Sequence, residues 1–374
     1  MSKEFIMEKK SIIAGISQGD INGIGYEVII KALLESTIND ICVPVVYGSP
    51  KVAAYHRKAL NINNFSFNNI RSVEEANYKK ANLINCLDDN VRVELGRSTP
   101  QGGEAAFISL ERAVDDLKNG KIDVLVTAPI DKKNIQSDKF QFNGHTEYLK
   151  SQAGAEDVLM LMVSESLRIG IATGHVPLSK VSDMITSELL IRKIRLINHS
   201  LILDFGIRKP RIALLGLNPH AGDNSLLGNE EAEVITPAIQ QAIKENILVF
   251  GPFPADGFFG AGSFTKFDGI LAMYHDQGLI PFKALSFDSG VNFTAGLPFI
   301  RTSPVHGTAF QIAGKGEASE NSFRQAIYLA CDIFRNRQMY SEITRNPLRH
   351  QDIEIHTDRV DELPPEIISS EQQL

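Results

Sequence analysis

The chain has 374 residues, 43% of them hydrophobic and 22% charged, so it carries enough apolar side chains to bury a large core. Its net charge of −7 argues against nucleic acid or an anionic membrane as the main partner, and no apolar run reaches the roughly 18 residues of a membrane span. Three widely spaced cysteines without a C-x-x-C pair, and a polar start without a secretory signal, predict a reduced cytoplasmic protein.

Short apolar runs alternate with helical patterns along the chain. The first two strands are predicted at residues 11–17 and 41–47, and helical patterns follow them at 26–35 and 51–60. The later strands are predicted at 122–127, 158–163, 167–173, 211–217, 268–274 and within 291–301, the last interrupted by Gly296 and Pro298. The later helices are predicted at 105–117, 186–203, 230–245 and 322–335. The repeated order of strand and then helix predicts an open α/β protein.

The arrangement of these elements bears on the domains. The runs at 158–163 and 167–173 follow each other without a helix, which suggests an antiparallel pair. The pattern implies more than one sheet-forming unit. No linker marks a domain boundary, so we expect segments that cross between domains. Residues 337–374 are polar and are expected to form a tail outside the ordered part.

Five of the nine histidines have a glycine or proline close by in the sequence. They are His145, His175, His220, His275 and His306, and at least three of them follow a predicted strand directly. Ligands of open α/β sheets bind beyond the carboxyl ends of strands, so these positions favour a functional site over tolerated turns. The other histidines are expected at surfaces or interfaces: His56, His199, His350 and His356.

Three of these histidines are candidate metal ligands. His175, His220 and His275 are separated by 45 and 55 residues, so they would form a site from three loops rather than a local motif. Neutral imidazole is the most common protein ligand of metals. Asp256 and Asp276 are candidates for orienting these ligands, with a turn-forming role as the alternative.

The loop after the first strand contains three glycines, Gly19, Gly23 and Gly25. It lacks the third glycine of G-x-G-x-x-G and has no Gly-Lys-Ser/Thr, so it is neither a standard dinucleotide motif nor a Walker loop. We therefore interpret it as a tight turn between a strand and a helix.

Three polar side chains recur every nine residues, at Lys283, Asn292 and Arg301. Cationic groups near a histidine cluster suit an anionic substrate. Spacing alone leaves open the alternative that they are ordinary solvated charges.

Taken together, the motifs resemble the 4-hydroxythreonine-4-phosphate dehydrogenases of vitamin B6 biosynthesis. The resemblance is carried by TAPIDK (127–132), GHTEYL (144–149), TGHVPL (173–178), LNPHAG (217–222) and YHDQGLIPFK (274–283). The early GDINGIGYEV is similar to that family's GDPAGIGPE, although Ile21, Asn22 and Tyr26 depart from it. LGNEE (227–231) and PADGFF (254–259) also fit. The motifs occur in order between about residues 11 and 336, and their combination is highly specific.

The resemblance implies a set of site residues. The metal ligands would be His175, His220 and His275, with zinc, cobalt, nickel, manganese or magnesium as the divalent metal. The substrate contacts would be His145, Thr146, Lys283, Asn292 and Arg301. Candidates for the general base are Asp256, Asp276 and Lys283, with a metal-bound hydroxide as the alternative.

The segment HGTAFQIAGKG (306–316) resembles the nucleotide-binding loop of the wider isocitrate and isopropylmalate dehydrogenase superfamily. That superfamily binds NAD or NADP without the G-x-G-x-x-G motif. The implied cofactor-binding residues are His306, Gly307, Thr308, Gln311 and Gly314. Gln311 stands where related enzymes often have an Asp that contacts the ribose, so the choice between NAD and NADP stays open.

The resemblance further implies two α/β/α domains with a cleft between them. The nucleotide-side domain would span 1–140 plus 305–336, and the metal, substrate and dimerisation domain 141–304, followed by the tail at 337–374. The enzyme would be a homodimer whose active site lies at the subunit interface.

The implied reaction is NAD(P)-dependent oxidation of 4-phosphooxy-L-threonine, a small phosphorylated amino acid. The product, 2-amino-3-oxo-4-phosphooxybutanoate, would decarboxylate to 3-amino-2-oxopropyl phosphate in pyridoxal 5′-phosphate biosynthesis. One alternative is a sibling dehydrogenase of a phosphorylated four-carbon sugar acid. The other is a non-redox metal-dependent lyase or phosphate-binding protein on the same scaffold.

Overall fold

The structure, a computed structural model, describes residues 11–88 and 90–346. Its strands are short runs rich in β-branched and apolar residues, which pack well on a pleated surface. In chain order they are β1 (Ile12–Ser17), β2 (Cys42–Gly48), β3 (Asn68–Ile70), β4 (Asn82–Asn85), β5 (Val124–Thr127), β6 (Leu159–Val163), β7 (Arg168–Ile171), β8 (Arg211–Leu215), β9 (Leu248–Phe253), β10 (Gly269–Ala272), β11 (Val291–Ala295) and β12 (Ile300–Pro304).

The helices follow the apolar periodicity of the sequence. They are α1 (Gly25–Leu33), α2 (Pro50–Ala59), α3 (Pro100–Lys118), α4 (His145–Ala153), α5 (Val181–Met184), α6 (Ser187–Leu203), α7 (Thr236–Lys244), α8 (Ala255–Gly260), α9 (His275–Ser286) and α10 (Asn321–Thr344). Ser49, Thr99 and Thr186 cap α2, α3 and α6 by accepting a hydrogen bond from a backbone amide. None of the helices in the described part of the chain has the length and apolarity needed to cross a bilayer.

The strands form one sheet in the order β3-β4-β2-β1-β5-β12-β11-β6-β7-β10-β8-β9. The strands from β3 to β12 are parallel, and so are β7, β10, β8 and β9. The central pairs β12–β11, β11–β6 and β6–β7 are antiparallel, so the two parallel blocks run in opposite directions. The predicted α/β class and the antiparallel pair of β6 and β7 are confirmed.

Helices cover both faces of this sheet. On β2, Val46 belongs to the apolar cluster that contains α1, α6 and α10, whereas its neighbours Val45 and Tyr47 belong to the cluster that contains α3. Successive side chains of a strand point to opposite faces, so the two clusters lie on opposite sides. The division of the chain into domains at 1–140 plus 305–336 and at 141–304 stays a prediction.

The one strand predicted within 291–301, interrupted by Gly296 and Pro298, is in fact two: the segment contains β11 and the start of β12, which form a hairpin. Gly296 lies between the two strands with φ +91°, a left-handed conformation that reverses the chain. A Cβ at Gly296 would lie 2.8 Å from the carbonyl oxygen of Asp157, so the close approach also requires glycine.

Two predicted helix bounds also need correction. The last helix does not stop at residue 335 but continues to Thr344, and the carbonyls of Leu297 and Pro298 and the carboxylate of Asp204 accept hydrogen bonds from Arg337. The polar tail therefore does not begin at residue 337, and its remainder, 347–374, lies outside the described residues. The predicted helix at 230–245 begins as a turn of π-helix, Glu231–Ile235, before α7.

Candidate active site

A cavity of about 290 Å³ lies over the central antiparallel strands. Its walls come from the end of β5, the start of α4, the loops after β7, β10 and β12, and side chains of β6, β11 and β12. It gathers nine of the predicted site residues: His145, Thr146, Lys283, Asn292, Arg301, His175, His275, His306 and Gly307.

Arg301 is the most deeply buried charge of the cavity, with 2% of the residue exposed. Its Nε and Nη2 donate to Thr127 Oγ1 at 3.1 and 2.7 Å, and its Nη1 donates to Thr294 Oγ1 at 3.3 Å. Burial lowers the pKa of Arg301 to about 10, which leaves it charged at neutral pH. Among the described residues it forms no ion pair, although the carboxylate of Glu147 also lines the cavity and acts to raise the pKa of Arg301.

His145 begins α4 directly after Gly144. Its Nε2 is buried and has no hydrogen-bond partner among the described residues. Burial, with the nearby charges of Arg301 and Lys132, holds the pKa of His145 well below its usual range. The ring is therefore neutral at pH 7 and has a nitrogen free to bind a ligand.

His175 and His275 lie side by side, with ring centroids 5.3 Å apart. They follow β7 and β10, which are parallel neighbours, so their loops meet at the same edge of the sheet. The Nδ1 of His275 is 2.7 Å from Oδ1 of Asp276, which leaves Nε2 as the free ring nitrogen. Burial, Lys132 and His275 lower the pKa of His175, which favours its neutral, metal-binding form.

His220 does not line this cavity. It is exposed, and in the described part of the chain no group of three His, Cys, Asp or Glu residues is placed to hold a metal. His220 opens a run of left-handed residues that continues through Ser225, with φ +53° at His220 and +71° at Ser225. Left-handed backbone costs roughly 1–2 kcal/mol for each L-residue, so this turn must be held by its surroundings.

The predicted general bases occupy different places. Lys283, on α9, lines the cavity. Asp276 is exposed and contacts the cavity only through His275. Asp256 is exposed on α8, which packs beside the His220 turn, outside the cavity. Of the polar substrate residues, Asn292 presents a buried Oδ1 without a partner among the described residues.

The predicted nucleotide-binding loop, 306–316, adjoins the loop after β1. The Thr308 carbonyl accepts from Ile24 N at 3.0 Å, and a Cβ on Gly23 would lie 2.7 Å from the same oxygen. His306 and Gly307 reach the cavity, whereas Thr308, Gln311 and Gly314 lie beyond it. The predicted cofactor residues are thus continuous with the cavity rather than enclosed by it.

The residues that depart from the family pattern in the first loop have structural roles. Asn22 Nδ2 donates to Thr99 Oγ1 at 2.9 Å, and Asn22 Oδ1 accepts from Glu94 N at 2.7 Å. Tyr26 is fully buried, and its hydroxyl donates to Gln18 Oε1 at 2.9 Å. These departures stabilise the loop and do not reach the cavity.

Two charged residues of the cavity were not singled out from the sequence. Lys132 and Glu147 line it, and a Cβ on Gly144 would lie 3.5 Å from both Glu147 Oε2 and Lys132 Cε. The sequence could have pointed to them, because Lys132 belongs to the motif TAPIDK and Glu147 to the motif GHTEYL. Sequence spacing does not show that these two motifs meet.

A sequence model of the family described as "Pyridoxal phosphate biosynthetic protein PdxA" matches residues 40–330. The chain belongs to the PdxA family. The matched range contains every candidate site residue named above, and the resemblance inferred from the motifs is confirmed. Membership of this family of dehydrogenases implies a nicotinamide cofactor.

Individual PdxA relatives cover nearly the whole chain. The 4-hydroxythreonine-4-phosphate dehydrogenase of Bacteroides thetaiotaomicron is 53% identical over 92% of this chain and 95% of its own length. A protein of Oceanobacillus iheyensis with the provisional name D-threonate 4-phosphate dehydrogenase is 41% identical over 87% of this chain and 99% of its own. The crystal structure of 4-hydroxythreonine-4-phosphate dehydrogenase from Klebsiella pneumoniae matches with a TM-score of 0.75 and 35% identity, over 87% of this chain and 98% of that one.

Proposed function

We propose that the chain catalyses the NAD(P)-dependent oxidation of 4-phosphooxy-L-threonine to 2-amino-3-oxo-4-phosphooxybutanoate. This β-keto acid then loses CO₂ to give 3-amino-2-oxopropyl phosphate for pyridoxal 5′-phosphate biosynthesis. The observation that carries the proposal is Arg301, a buried guanidinium without an ion pair among the described residues, in the same cavity as His175 and His275. A doubly anionic phosphate beside an oxidisable hydroxyl matches this combination.

In this proposal the anionic groups of the substrate bind to residues on the strands that line the cavity. Arg301 offers a guanidinium that Thr127 and Thr294 hold in place, and guanidinium groups bind phosphate or carboxylate through paired hydrogen bonds. Lys283 contacts the substrate from α9, and its amine becomes positively charged once it has accepted the hydroxyl proton. The Arg301 guanidinium therefore pairs with an anionic group of the substrate, with His145 and Thr146 as further hydrogen-bonding groups.

The imidazole groups of His175 and His275, which line the cavity, fit a divalent metal. His175 and His275 present neighbouring imidazoles, and Asp276 engages the Nδ1 of His275 in the manner of a carboxylate that orients a metal-binding histidine. We propose His175, His220 and His275 as the ligands of zinc, cobalt, nickel, manganese or magnesium. When bound, such a metal supplies Lewis-acid stabilisation of negative charge on the reacting oxygen.

A second copy of the chain is part of the proposal. His220 is exposed and outside its own chain's cavity, so a homodimer with the active site at the subunit interface accounts for its role as a ligand. Apolar side chains on and next to the site helix α9 support such a contact, since Ile280, Leu285 and Phe287 are each more than half exposed.

The nucleotide is proposed to bind along 306–316. Gly307 leaves open space where a side chain would stand, and the neighbouring His306 lines the cavity, so a nicotinamide placed there is beside the substrate. The nicotinamide accepts the hydride, and this chemistry belongs to the cofactor. Gln311 is exposed and free to contact the ribose of either NAD or NADP.

The protein's own acid–base groups must accept the hydroxyl proton. Of the candidates Asp256, Asp276 and Lys283, Lys283 is the one that lines the cavity, so we propose it as the base. The three cysteines of the chain are free thiols, which fits the cytoplasmic location that we propose.

The direct test is NADH or NADPH formation from 4-phosphooxy-L-threonine by the purified protein, with and without added divalent metal. We expect metal-dependent turnover. Turnover that is unchanged in metal-stripped protein would contradict the metal assignment, and no binding of either nucleotide by calorimetry would contradict the dehydrogenase itself.

The second candidate substrate is D-threonate 4-phosphate, because a relative with that provisional name is 41% identical to the chain. The two substrates differ at C2, where one carries an amino group and the other a hydroxyl. A higher kcat/KM for the amino substrate supports the main proposal, and the reverse order favours the sugar-acid enzyme.

A further inference from the structure

Glu231 lies in the interior at the base of the His220 turn, with 5% of the residue exposed. One carboxylate oxygen, Oε1, accepts from the backbone amides of both Leu217 and Asn218 at 2.7 Å. The other, Oε2, accepts from Asn218 Nδ2 at 3.0 Å. A buried carboxylate thus uses three N–H donors, all of them from the two residues that lead into Pro219 and His220.

The turn itself leaves little room for a different conformation. His220, Ala221, Asp223 and Ser225 have φ between +42° and +71°, a region that L-residues occupy only when the surroundings hold them there. A Cβ on Gly222, at φ +82°, would lie 2.8 Å from Glu231 Oε2. The carboxylate therefore packs directly against the left-handed segment as well as bonding its first residues.

The same turn is tied to α9, the helix that begins with His275. Gln277 Nε2 donates to the carbonyl of Gly216 at 2.6 Å, and Gln277 Oε1 accepts from the amide of Met273 at 2.7 Å. Glu231 and Gln277 thus fix the root of the His220 turn from two sides, one from the π-helical turn and one from α9.

We propose that Glu231 is a positioning residue, which holds the left-handed His220 turn in the conformation that presents His220 to a divalent metal. The proposal rests on the metal role of His220 in the proposed function and goes beyond it, because Glu231 itself touches neither metal nor substrate. A glutamine at this position keeps the size and one acceptor oxygen for the amides of Leu217 and Asn218, but it loses the negative charge and turns its NH₂ towards Nδ2 of Asn218.

The test compares Glu231→Gln with Glu233→Gln, which removes the same charge from an exposed position on the same π-helical turn. Co²⁺ is titrated into the folded, metal-stripped protein, and its affinity and visible absorption spectrum are recorded. Orienting partners of metal ligands typically contribute 10- to 100-fold in affinity, so we expect E231Q to weaken Co²⁺ binding by about that factor and to alter the spectrum. E233Q should match the wild type.

General damage to the fold would change the KM for NAD or NADP. Because the positioning role concerns only the His220 turn, this KM should stay unchanged in E231Q. Glu231→Asp, which keeps the carboxylate, should recover part of the Co²⁺ affinity. Wild-type Co²⁺ affinity and spectrum in E231Q, alongside their loss in His220→Ala, would overturn the positioning role and leave the proposed function standing. Retention of both in H220A would overturn the metal role of His220, and the inference with it.

Discussion

The two sides of the cavity are built in different ways. On the anion-binding side, Asn292 and Arg301 project from the neighbouring strands β11 and β12, and threonines of β5 and β11 fix the guanidinium. On the metal-binding side, His175 and His275 stand on the loop after β7 and at the first residue of α9. The sheet thus preorganises the proposed substrate contacts, whereas the proposed metal ligands depend on loops and on the groups that hold them.

The largest effect should come from the metal side. His275→Ala removes a proposed ligand, and the loss of several kcal/mol of Lewis-acid stabilisation corresponds to roughly a 10³-fold or greater fall in kcat. Steady-state kinetics at saturating metal measure it. His199→Ala, which changes an exposed histidine on α6, is the matched control and should leave kcat unchanged. Near-normal turnover by H275A would show that the proposed metal site takes no part in the reaction.

Substitution of Arg301, on the proposed anion-binding side, should lower kcat/KM without lowering the stability of the ligand-free protein. Arg301→Gln removes the buried charge, and the loss of one partner of a desolvated charge pair costs about 2–5 kcal/mol, so we expect kcat/KM to fall by about 30-fold or more. The ligand-free protein should not lose stability, because its buried guanidinium has no ion pair among the described residues. Thermal unfolding of the ligand-free variant measures this second part.

Arg208→Gln, at an exposed position, controls for the loss of one positive charge. A lower Tm for R301Q together with an unchanged kcat/KM would reverse the interpretation, since Arg301 would then be a structural residue of the sheet.

A smaller effect is expected from the orientation of a ligand. Asp276→Asn weakens the contact that Oδ1 of Asp276 makes with Nδ1 of His275, 2.7 Å away, and such changes typically cost 10- to 100-fold in metal affinity or activity. Metal titration of D276N checks this, with Asp115→Asn as the exposed control on α3. Equal losses in the two variants would mean that Asp276 has no special role in orienting His275.

The difference between the two sides also explains which strands and helices could be predicted from the sequence. Apolar runs located β1, β2 and β5, because buried parallel strands need a continuous apolar sequence. The helix α9 has no such pattern, since it contains Gly278 and Pro281, so a helix that places both His275 and Lys283 was missed. The edge strand β9 was missed for a related reason: proline, here Pro252, is tolerated only at sheet edges and bulges.

The site residues divide in the same manner. Motifs pointed to Arg301 and His145, and packing of the sheet brings them to one cavity. Which motifs meet is a tertiary property, so Lys132 and Glu147 were not singled out although both lie in recognised motifs. The placement of His220 outside the cavity depends on a left-handed backbone, which residue types alone do not specify.

The smallest effect concerns protonation on the anion side. Burial, Arg301 and Lys132 hold the pKa of His145 well below the ordinary value of 6.5, so the folded protein binds fewer protons there than the unfolded chain. The stability of the ligand-free protein is therefore complete above pH 6.5 and falls as the pH drops from 6.5 towards the lowered pKa, by at most about 1.4 kcal/mol per pH unit for one histidine. His145→Asn should flatten this dependence in urea unfolding measured across that window. Part of the slope should remain, because burial also lowers the pKa of His56, His175 and His306. An unchanged slope in H145N, equal to that of the exposed control His199→Asn, would show that His145 is not held neutral by the fold.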